Sequence, residues 1–301
     1  MSGGFDRKPM GSSLLSKRGT GERIIYVVIF FLFVVYALAL LLPFVWLFIN
    51  SFKGGLEYLD NISDSKPFSW PTNFLFDNYG KAFSMFQYGD NTFFGMLGNS
   101  VWYVAIVTVE GVFFSACTGY VIAKYKFRGR DLIYSIAIVS MTIPIVGALG
   151  SSFKLSYDLG IYNTPLQPIL SCAGGFGFNF LILHAFYKSI PWAYSEAVFI
   201  DGGNHFTAFF RVMLPMAAAP ILTLSIMSAI GSWNDYSSVI LFLPDYPTIS
   251  AGLYFVKDDL IKESAPVYFA QLILSMIPII TVFAIFSDKI MTNLSVGGLK
   301  G

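Results

Sequence analysis

Long apolar segments dominate this sequence and alternate with short polar ones. The hydrocarbon core of a bilayer is about 30 Å thick, and a helix of about 20 residues crosses it. Prolines and glycines inside some of the segments fit a membrane, because neighbouring helices satisfy the backbone groups that such residues free. The pattern predicts an all-α integral membrane protein with six transmembrane helices, over roughly 24–49, 96–123, 131–153, 166–188, 213–235 and 267–290.

Composition supports a membrane location. Apolar residues make up 55% of the 301 and charged residues only 12%, which is about half the charged share of a soluble domain. A net charge of +1 gives no electrostatic basis for binding nucleic acid. Cys117 and Cys172 lie in apolar segments without metal-ligand or redox spacing, so both are expected to pack as small apolar side chains. Membrane lipid is therefore the expected surrounding.

Basic residues indicate which ends of the spans face the cytoplasm. Thirteen Lys and Arg residues fall on the side of the two termini and six on the other side. Because short cytoplasmic loops carry the excess of basic residues, both termini are expected in the cytoplasm. Residues 1–23 lack an apolar core, so a cytoplasmic tail is expected there and not a cleaved signal peptide. Residues from about 50 to 95 are then expected to form an external cap.

A polar, glycine-containing segment, residues 195–210, separates the fourth and fifth spans on the cytoplasmic side. Ser195 is a plausible N-cap of a short helix, and Gly202-Gly203 is a typical helix end. Asn204 is placed to cap a second helix that leads into the fifth span. The segment is therefore predicted to form a helix, a glycine turn and another helix at the membrane surface.

This segment has an acid at each end of an apolar middle, with Glu196 and Asp201 flanking residues 197–200. One interpretation is an amphipathic helix lying in the membrane interface, but such helices favour Lys and Arg on their polar face. Residues 195–210 contain neither. The composition therefore favours docking into a groove of another protein.

The same stretch resembles the EAA loop of ABC-importer permeases, which runs E-A-A-x-x-D-G, then a phenylalanine and L-P. Val198 and Gly203 stand where the family usually has alanine. The positions in register are Glu196, Ala197, Asp201, Gly202, Phe209, Leu214 and Pro215.

Further elements, spread over about residues 40–301, resemble the carbohydrate branch of these permeases, the branch similar to the second maltose permease. They are PFVWLFINSFK (43–53), FDNYGKAF (76–83), NSVWYV (99–104), GYVIAKYKFRGRD (119–131), MTIP (141–144), WNDY (233–236) and NLSVGGLKG (293–301).

The resemblance implies a type I ABC-importer permease of a bacterial cytoplasmic membrane, with one permease domain over residues 24–301. It implies a second homologous permease, two ATPase subunits, an extracytoplasmic binding protein, and a sugar or oligosaccharide as substrate. Residues 195–210 would be the coupling helix, and ATP-driven closure of the ATPases would open a midmembrane cavity to each side in turn. The chain has no G-x-x-x-x-G-K-[ST] phosphate loop, so ATP and Mg are expected on the partner ATPase and the chain is expected to be no enzyme. The residues implied in ATPase coupling are Glu196, Ala197, Asp201, Gly202, Gly203 and Phe209.

Five residues in or near the spans are candidates for the substrate pathway. Glu110 lies near the centre of the second span, where an acid costs roughly 2.5–3.5 kcal/mol and should face the bundle interior or a cavity. There it either bonds sugar hydroxyls or packs against another helix, and Asn179 has the same two interpretations. Trp233, Asn234 and Asp235 close the fifth span externally, where they suit sugar recognition, although a Trp there also suits an interfacial anchor. No catalytic residue or metal site is predicted.

Other classes of membrane protein leave different patterns. An ion-coupled secondary transporter usually has several ionisable residues in its spans and an internal repeat, and this sequence has one central acid and no evident repeat. An integral membrane enzyme needs an acid cluster or a metal site, and neither is evident. The nearer alternative is an ABC importer of another solute, such as a peptide or an amino acid.

Overall fold

The computed structural model of the chain describes residues 20–142, 148–172 and 174–297. Some expectations lie outside these ranges: most of the N-terminal tail, the proline of the MTIP element at 144, and the last four residues of the C-terminal element.

The described chain is mostly helical, as predicted, with one small hairpin over residues 87–92. The hairpin strands β1 (Gln87–Tyr88) and β2 (Asn91–Thr92) pair antiparallel. The helices are α1 (Thr20–Ser51), α2 (Gly55–Ser63), α3 (Asp77–Ser84), α4 (Phe93–Lys124), α5 (Arg130–Thr142), α6 (Ala148–Asp158), α7 (Leu166–Cys172), α8 (Phe178–Ser189), α9 (Ala193–Ile200), α10 (His205–Thr207), a π-helical turn (Ala208–Met213), α11 (Leu214–Met216), α12 (Ala218–Asn234), α13 (Tyr236–Phe242) and α14 (Ile249–Gly297).

Three of the described helices are long and apolar enough to cross a membrane, namely Ile24–Ser51, Phe93–Lys124 and Ser264–Ser287. A fourth crossing is possible where His205–Met216 and Ala218–Asn234 meet at a bend of 72°. The predicted fourth span is divided between two shorter helices, α7 and α8, and the described part of the third span lies in α5 and α6.

Helix α4 forms the centre of the bundle, with α8 and α12 packed on it. The cluster that joins these helices contains Ala116, Leu183, Met213 and Tyr187, all of which are fully buried. Gly119 brings the backbones close, because a β-carbon there would lie 3.0 Å from the His184 amide nitrogen. Small residues at such contacts are how membrane helices approach one another without a hydrophobic driving force.

The residues predicted to form the external cap contain α2, α3 and the hairpin, and hydrogen bonds fasten them to the bundle. The buried Asn78 amide donates to the carbonyls of Ser51 (2.8 Å) and Lys53 (2.9 Å), which lie at and after the end of α1. These bonds satisfy backbone carbonyls that the end of a helix leaves unpaired. The side chain of Gln271 in α14 donates to the Ala82 carbonyl of α3 at 3.1 Å.

Candidate functional site

The polar segment folds as a helix, a turn and a second helical stretch, as predicted, but its first helix begins earlier than expected. Ser195 is not the N-cap, because α9 begins at Ala193 with Trp192 as its cap. The amides of Ser195 and Glu196 both donate to the Trp192 carbonyl, which places Ser195 inside the first turn. Ser195 is buried, and its hydroxyl has no hydrogen-bond partner in the described part of the chain.

The turn after α9 depends on two adjacent glycines for different reasons. Gly202 has φ of +79°, a conformation that other L-residues adopt at a cost. At Gly203 a β-carbon would stand 2.5 Å from Cγ1 of Val198 and 2.9 Å from the Val198 carbonyl oxygen. Asn204 then caps the second helix as predicted, since its side-chain oxygen accepts the Thr207 amide at 2.9 Å.

The outer face of this segment combines acids with large apolar side chains. Glu196 and Asp201 are exposed. Ile200 is 85% exposed and Phe206 75% exposed, although both are large and apolar. Exposed apolar side chains beside charged ones are a feature of surfaces that contact another protein or a membrane. We refer to Ala193–Thr207 as the docking segment.

Phe209, the last residue implied in coupling, lies inside the bundle. It is 6% exposed and packs on the Tyr120 ring of α4, with 5.0 Å between the ring centroids. Phe209 belongs to the π-helical turn that leads from the docking segment towards α12. It therefore connects the docking segment to the helices and is not part of its outer face.

Four aromatic side chains join the docking segment to the C-terminal end of α4. The Tyr125 hydroxyl and His205 Nδ1 share a hydrogen bond of 2.9 Å. The Tyr125 ring packs edge-on against Trp192 at 5.7 Å, and Phe199 packs edge-on against His205 at 4.9 Å. Burial raises the pKa of Tyr125, so its hydroxyl keeps its proton. We call Tyr125, Trp192, Phe199 and His205 the aromatic clamp.

The sequence analysis did not identify this clamp. Tyr125 is separated by 67 to 80 positions from the other three members, so no local periodicity relates it to them. The two segments of the chain that form the clamp are each rich in aromatic residues, and this was the signal that the sequence offered. A neighbouring contact supports it, since Lys124 Nζ donates a hydrogen bond to the Ile190 carbonyl.

Two of the pathway candidates lie within the bundle. Glu110 is in the middle of α4, and its Oε2 atom is buried with no hydrogen-bond partner among residues 20–142, 148–172 and 174–297. Asn179 of α8 donates to the Ser228 hydroxyl of α12 at 3.1 Å, so it links two helices.

The other three pathway candidates stand at the C-terminal end of α12 in different surroundings. Trp233 packs against a buried hydrophobic cluster, and its carbonyl accepts a hydrogen bond from the Ser250 hydroxyl. Asn234 is exposed, and its amide bonds the Ile230 carbonyl of its own helix at 2.8 Å. Asp235 accepts the Ser238 amide (3.0 Å) and the Tyr103 hydroxyl (3.3 Å), which places it against α4. The structure therefore does not gather the three into one group.

Residues 115–294 match a family model described as the binding-protein-dependent transport system inner membrane component. The chain is 28% identical over 273 residues to the diacetylchitobiose uptake system permease protein NgcG of Streptomyces coelicolor, covering 89% of this chain and 87% of that protein. It is 28% identical over 267 residues to the trehalose transport system permease protein SugB of Mycobacterium tuberculosis, covering 87% and 93%.

A similar fold occurs in a crystal structure of a bacterial ABC transporter involved in the import of the acidic polysaccharide alginate. The TM-score is 0.73 at 22% sequence identity, and the match covers 90% of this chain and 98% of that one.

Proposed function

The chain belongs to the family of binding-protein-dependent transport system inner membrane components, and on this basis we propose that it is the permease subunit of an ATP-driven importer of a sugar or oligosaccharide. The observation that carries the proposal is the docking segment, an exposed surface of acids and apolar side chains held firmly to the bundle. For the substrate class, support comes from relatives matched over most of their length, which are named for diacetylchitobiose, trehalose and arabinooligosaccharides.

The family is that of inner membrane components, and the chain has helices fit to span a membrane. We place it in a bacterial cytoplasmic membrane with six crossings and both termini in the cytoplasm. The six crossings are α1, α4, α5 with α6, α7 with α8, α11 with α12, and the second half of α14. This arrangement puts the docking segment in the cytoplasm and the cap outside, as the distribution of basic residues predicts.

Docking of a separate ATPase is the role proposed for the outer face of the docking segment. Glu196 is exposed near the N-terminus of α9, where it suits pairing with a basic ATPase residue. Ile200 and Phe206 would enter apolar pockets of the same groove, since buried apolar anchors supply most of the energy at such interfaces. Ala197, between these residues, leaves room for close approach.

Movement of the docking segment would reach the membrane helices through the aromatic clamp and Phe209. When two ATPase subunits close on ATP and Mg, the docking segment moves as a rigid element with the end of α4. A second homologous permease is moved in the same way, and the cavity between the two permeases opens to each side alternately. An extracytoplasmic binding protein delivers the sugar.

The proposed function includes a role in the substrate pathway for five residues, namely Glu110, Asn179, Trp233, Asn234 and Asp235. Glu110 has the firmest basis, because a buried carboxyl oxygen without a partner is costly unless a ligand or neighbouring subunit bonds it. Uptake by a Glu110→Ala variant equal to that of the wild type would assign Glu110 to packing.

The function is tested by reconstituting the chain with its partner permease, ATPases and binding protein in liposomes. ATP-dependent uptake of labelled N,N′-diacetylchitobiose, trehalose or maltotriose is expected, with none when the ATPases are omitted. Uptake of amino acids or peptides without any sugar uptake would move the chain to the alternative class of importer.

A further inference from the structure

An apolar groove runs along one face of α4. Val109, Phe113, Cys117, Val121 and Tyr125 follow one another at intervals of four residues, so they form a single stripe that ends at the cap of the helix. Two cavities lie over this stripe and share Phe113. The inner cavity, beside Val109, measures about 630 Å³, and the outer cavity, beside Val121, about 530 Å³. Both volumes are within the range of small-molecule binding sites.

The other wall of the groove is the chain from α10 to α12. Phe209 and Phe210 line the outer cavity, and Leu214 and Ile221 line the inner one. The Phe210 ring stacks on the Phe113 ring where the two cavities meet, with 6.3 Å between the ring centroids. The groove therefore follows the contact between α4 and the stretch of chain that leads from the docking segment into α12.

The polar side chains of the groove are largely occupied with one another. In the outer cavity the hydroxyls of Tyr120 and Tyr125 share a hydrogen bond of 3.2 Å, and Tyr125 also bonds His205 at 2.9 Å. The inner cavity is apolar apart from Ser225. A polar ligand would lose its own hydrogen bonds to water in such surroundings at a cost. The groove therefore suits a hydrocarbon chain.

The length of the groove matches one leaflet of a bilayer. Val109 lies at the middle of α4, which runs from Phe93 to Lys124. Val121 is about 18 Å further along the axis, at a rise of about 1.5 Å per residue. Half of the hydrocarbon core of a bilayer is about 15 Å thick. An acyl chain that reaches from the membrane surface to the bilayer centre would therefore cover the groove from end to end.

Unpaired basic residues lie at the surface end of the groove. Lys126 and Arg128 are in the loop directly after the cap of α4, and Arg211 is in the π-helical turn that lines the outer cavity. All three are exposed, and none forms an ion pair within residues 20–142, 148–172 and 174–297. The acid of this loop, Asp131, is already bound by Arg130 at 2.8 Å. Clusters of Lys and Arg at the membrane surface attract anionic lipid headgroups.

This order of groups, apolar through one leaflet and cationic at its surface, is complementary to an anionic phospholipid. We propose that the groove binds one such lipid, with an acyl chain along Val109–Val121 and its headgroup near Lys126, Arg128 and Arg211. The lipid comes from the leaflet at the C-terminal end of α4, which is the cytoplasmic leaflet in the proposed orientation. The proposal uses the membrane location and not the identity of the transported substrate.

The decisive experiment locates the lipid by photocrosslinking in the assembled importer. The complex is reconstituted in vesicles of phosphatidylcholine and phosphatidylglycerol that contain a trace of a phospholipid with a diazirine at the end of one acyl chain. The probe is made with either headgroup, and the crosslinked peptides are identified by mass spectrometry. The phosphatidylglycerol probe is expected to mark the inner cavity, around Val109 and Ile221, at least about five-fold more than the phosphatidylcholine probe.

Two sets of variants separate the acyl chain from the headgroup. Val121→Trp fills the outer cavity and should lower crosslinking at least about five-fold, whereas Val101→Trp is the control, because Val101 is an exposed valine of α4 that lines neither cavity.

The triple variant Lys126→Gln, Arg128→Gln and Arg211→Gln should lose the preference for phosphatidylglycerol and keep the crosslinking by phosphatidylcholine. Lys154→Gln, at an exposed lysine of α6, should behave as the wild type.

Equal marking by the two probes would show ordinary boundary lipid and overturn the site. Absence of marking on both walls would show that another subunit covers the groove, and it would overturn the site as well. Neither readout requires transport, so wild-type sugar uptake without preferential marking would remove the lipid site alone, and preferential marking without sugar uptake would remove the proposed substrate class alone.

Discussion

Cγ1 of Val198 lies 2.5 Å from the position that a β-carbon on residue 203 would occupy, and residue 203 is glycine. The EAA-like motif departs from its usual alanines at these two positions. The contact explains both departures together: the larger side chain at 198 fills the space that glycine leaves at 203.

Gly203→Ala alone is therefore expected to disturb the turn, since overpacking costs typically about 1–3 kcal/mol. Val198→Ala should be mild, and the double variant should recover part of the loss, the remainder coming from the Val198 carbonyl 2.9 Å from the new β-carbon. The measurement is ATPase binding affinity of the four permease variants in a double-mutant cycle. Strict additivity of the two single changes would contradict the paired-fit interpretation.

Gly202 supports a different prediction, based on the backbone and not on space. Its φ is +79° and no atom lies within 4 Å of a β-carbon built there. Gly202→Asn should be tolerated, because Asn adopts positive φ more readily than other residues, whereas Gly202→Val should lose about 1–2 kcal/mol or more. Thermal unfolding of the two variants in detergent checks this order. Equal losses for Asn and Val would show that φ is not the constraint.

Loss of the Tyr125–His205 hydrogen bond is expected to weaken the coupling of ATP hydrolysis to transport without weakening ATPase binding. Tyr125→Phe keeps the ring contact with Trp192 and removes only the hydroxyl, a loss of about 1 kcal/mol. ATPase subunits should still bind, while the sugar transported per ATP hydrolysed should fall. Tyr157→Phe is the control, because Tyr157 is an exposed tyrosine of α6. An unchanged ratio in Tyr125→Phe would exclude the clamp from transmission.

Several features of the fold and site were accessible from sequence because they depend on local chemistry. The family is confirmed, and so are the Asn204 cap and the left-handed turn at Gly202. The cap and the turn need only residues within a few positions of one another, and the family is recognised from short motifs along the chain. The prediction that Ser195 is an N-cap was wrong, because the helix begins at Ala193 with Trp192 as its cap. No capping-box residue favours a start at Ser195.

Other features depend on contacts between distant parts of the chain. The aromatic clamp, the Asn179–Ser228 link and the Asp235–Tyr103 bond each join separate helices. Hydropathy identifies which segments are apolar, but it does not say where a segment bends or breaks. The 72° bend before α12 and the break between α7 and α8 are properties of the folded chain that the hydropathy pattern does not contain.

Glu196 predicts a charge-dependent interface. Because it is exposed, Glu196→Lys should not destabilise the permease, but it should abolish pairing with a basic ATPase residue and weaken ATPase binding at least ten-fold. Asp158→Lys makes the same charge change at an exposed residue of α6 and should leave binding unaltered. Pull-down of the ATPase at two salt concentrations provides the measurement. Wild-type affinity in Glu196→Lys would place the docking face elsewhere.

Glu57 of the external cap predicts that cap stability depends on acidic pH. Burial alone would raise the pKa of this carboxyl, but hydrogen bonds from the amide and hydroxyl of Thr72 outweigh it and hold the pKa below 4.5. A depressed pKa means that the ionised form is favoured in the folded cap. Its stabilisation is therefore complete above about pH 4.5, the unfolded value, and is lost as the pH falls through the folded pKa.

Hydrogen exchange of the Thr72 amide, compared between pH 6 and pH 4 and corrected for intrinsic rates, should reveal the loss. Glu57→Gln should already lack this protection at pH 6 and vary little with pH, while Asp60→Asn, at an exposed position of the same helix, should behave as the wild type. Equal protection of the Thr72 amide in wild type and Glu57→Gln at pH 6 would contradict the assigned role of the carboxylate.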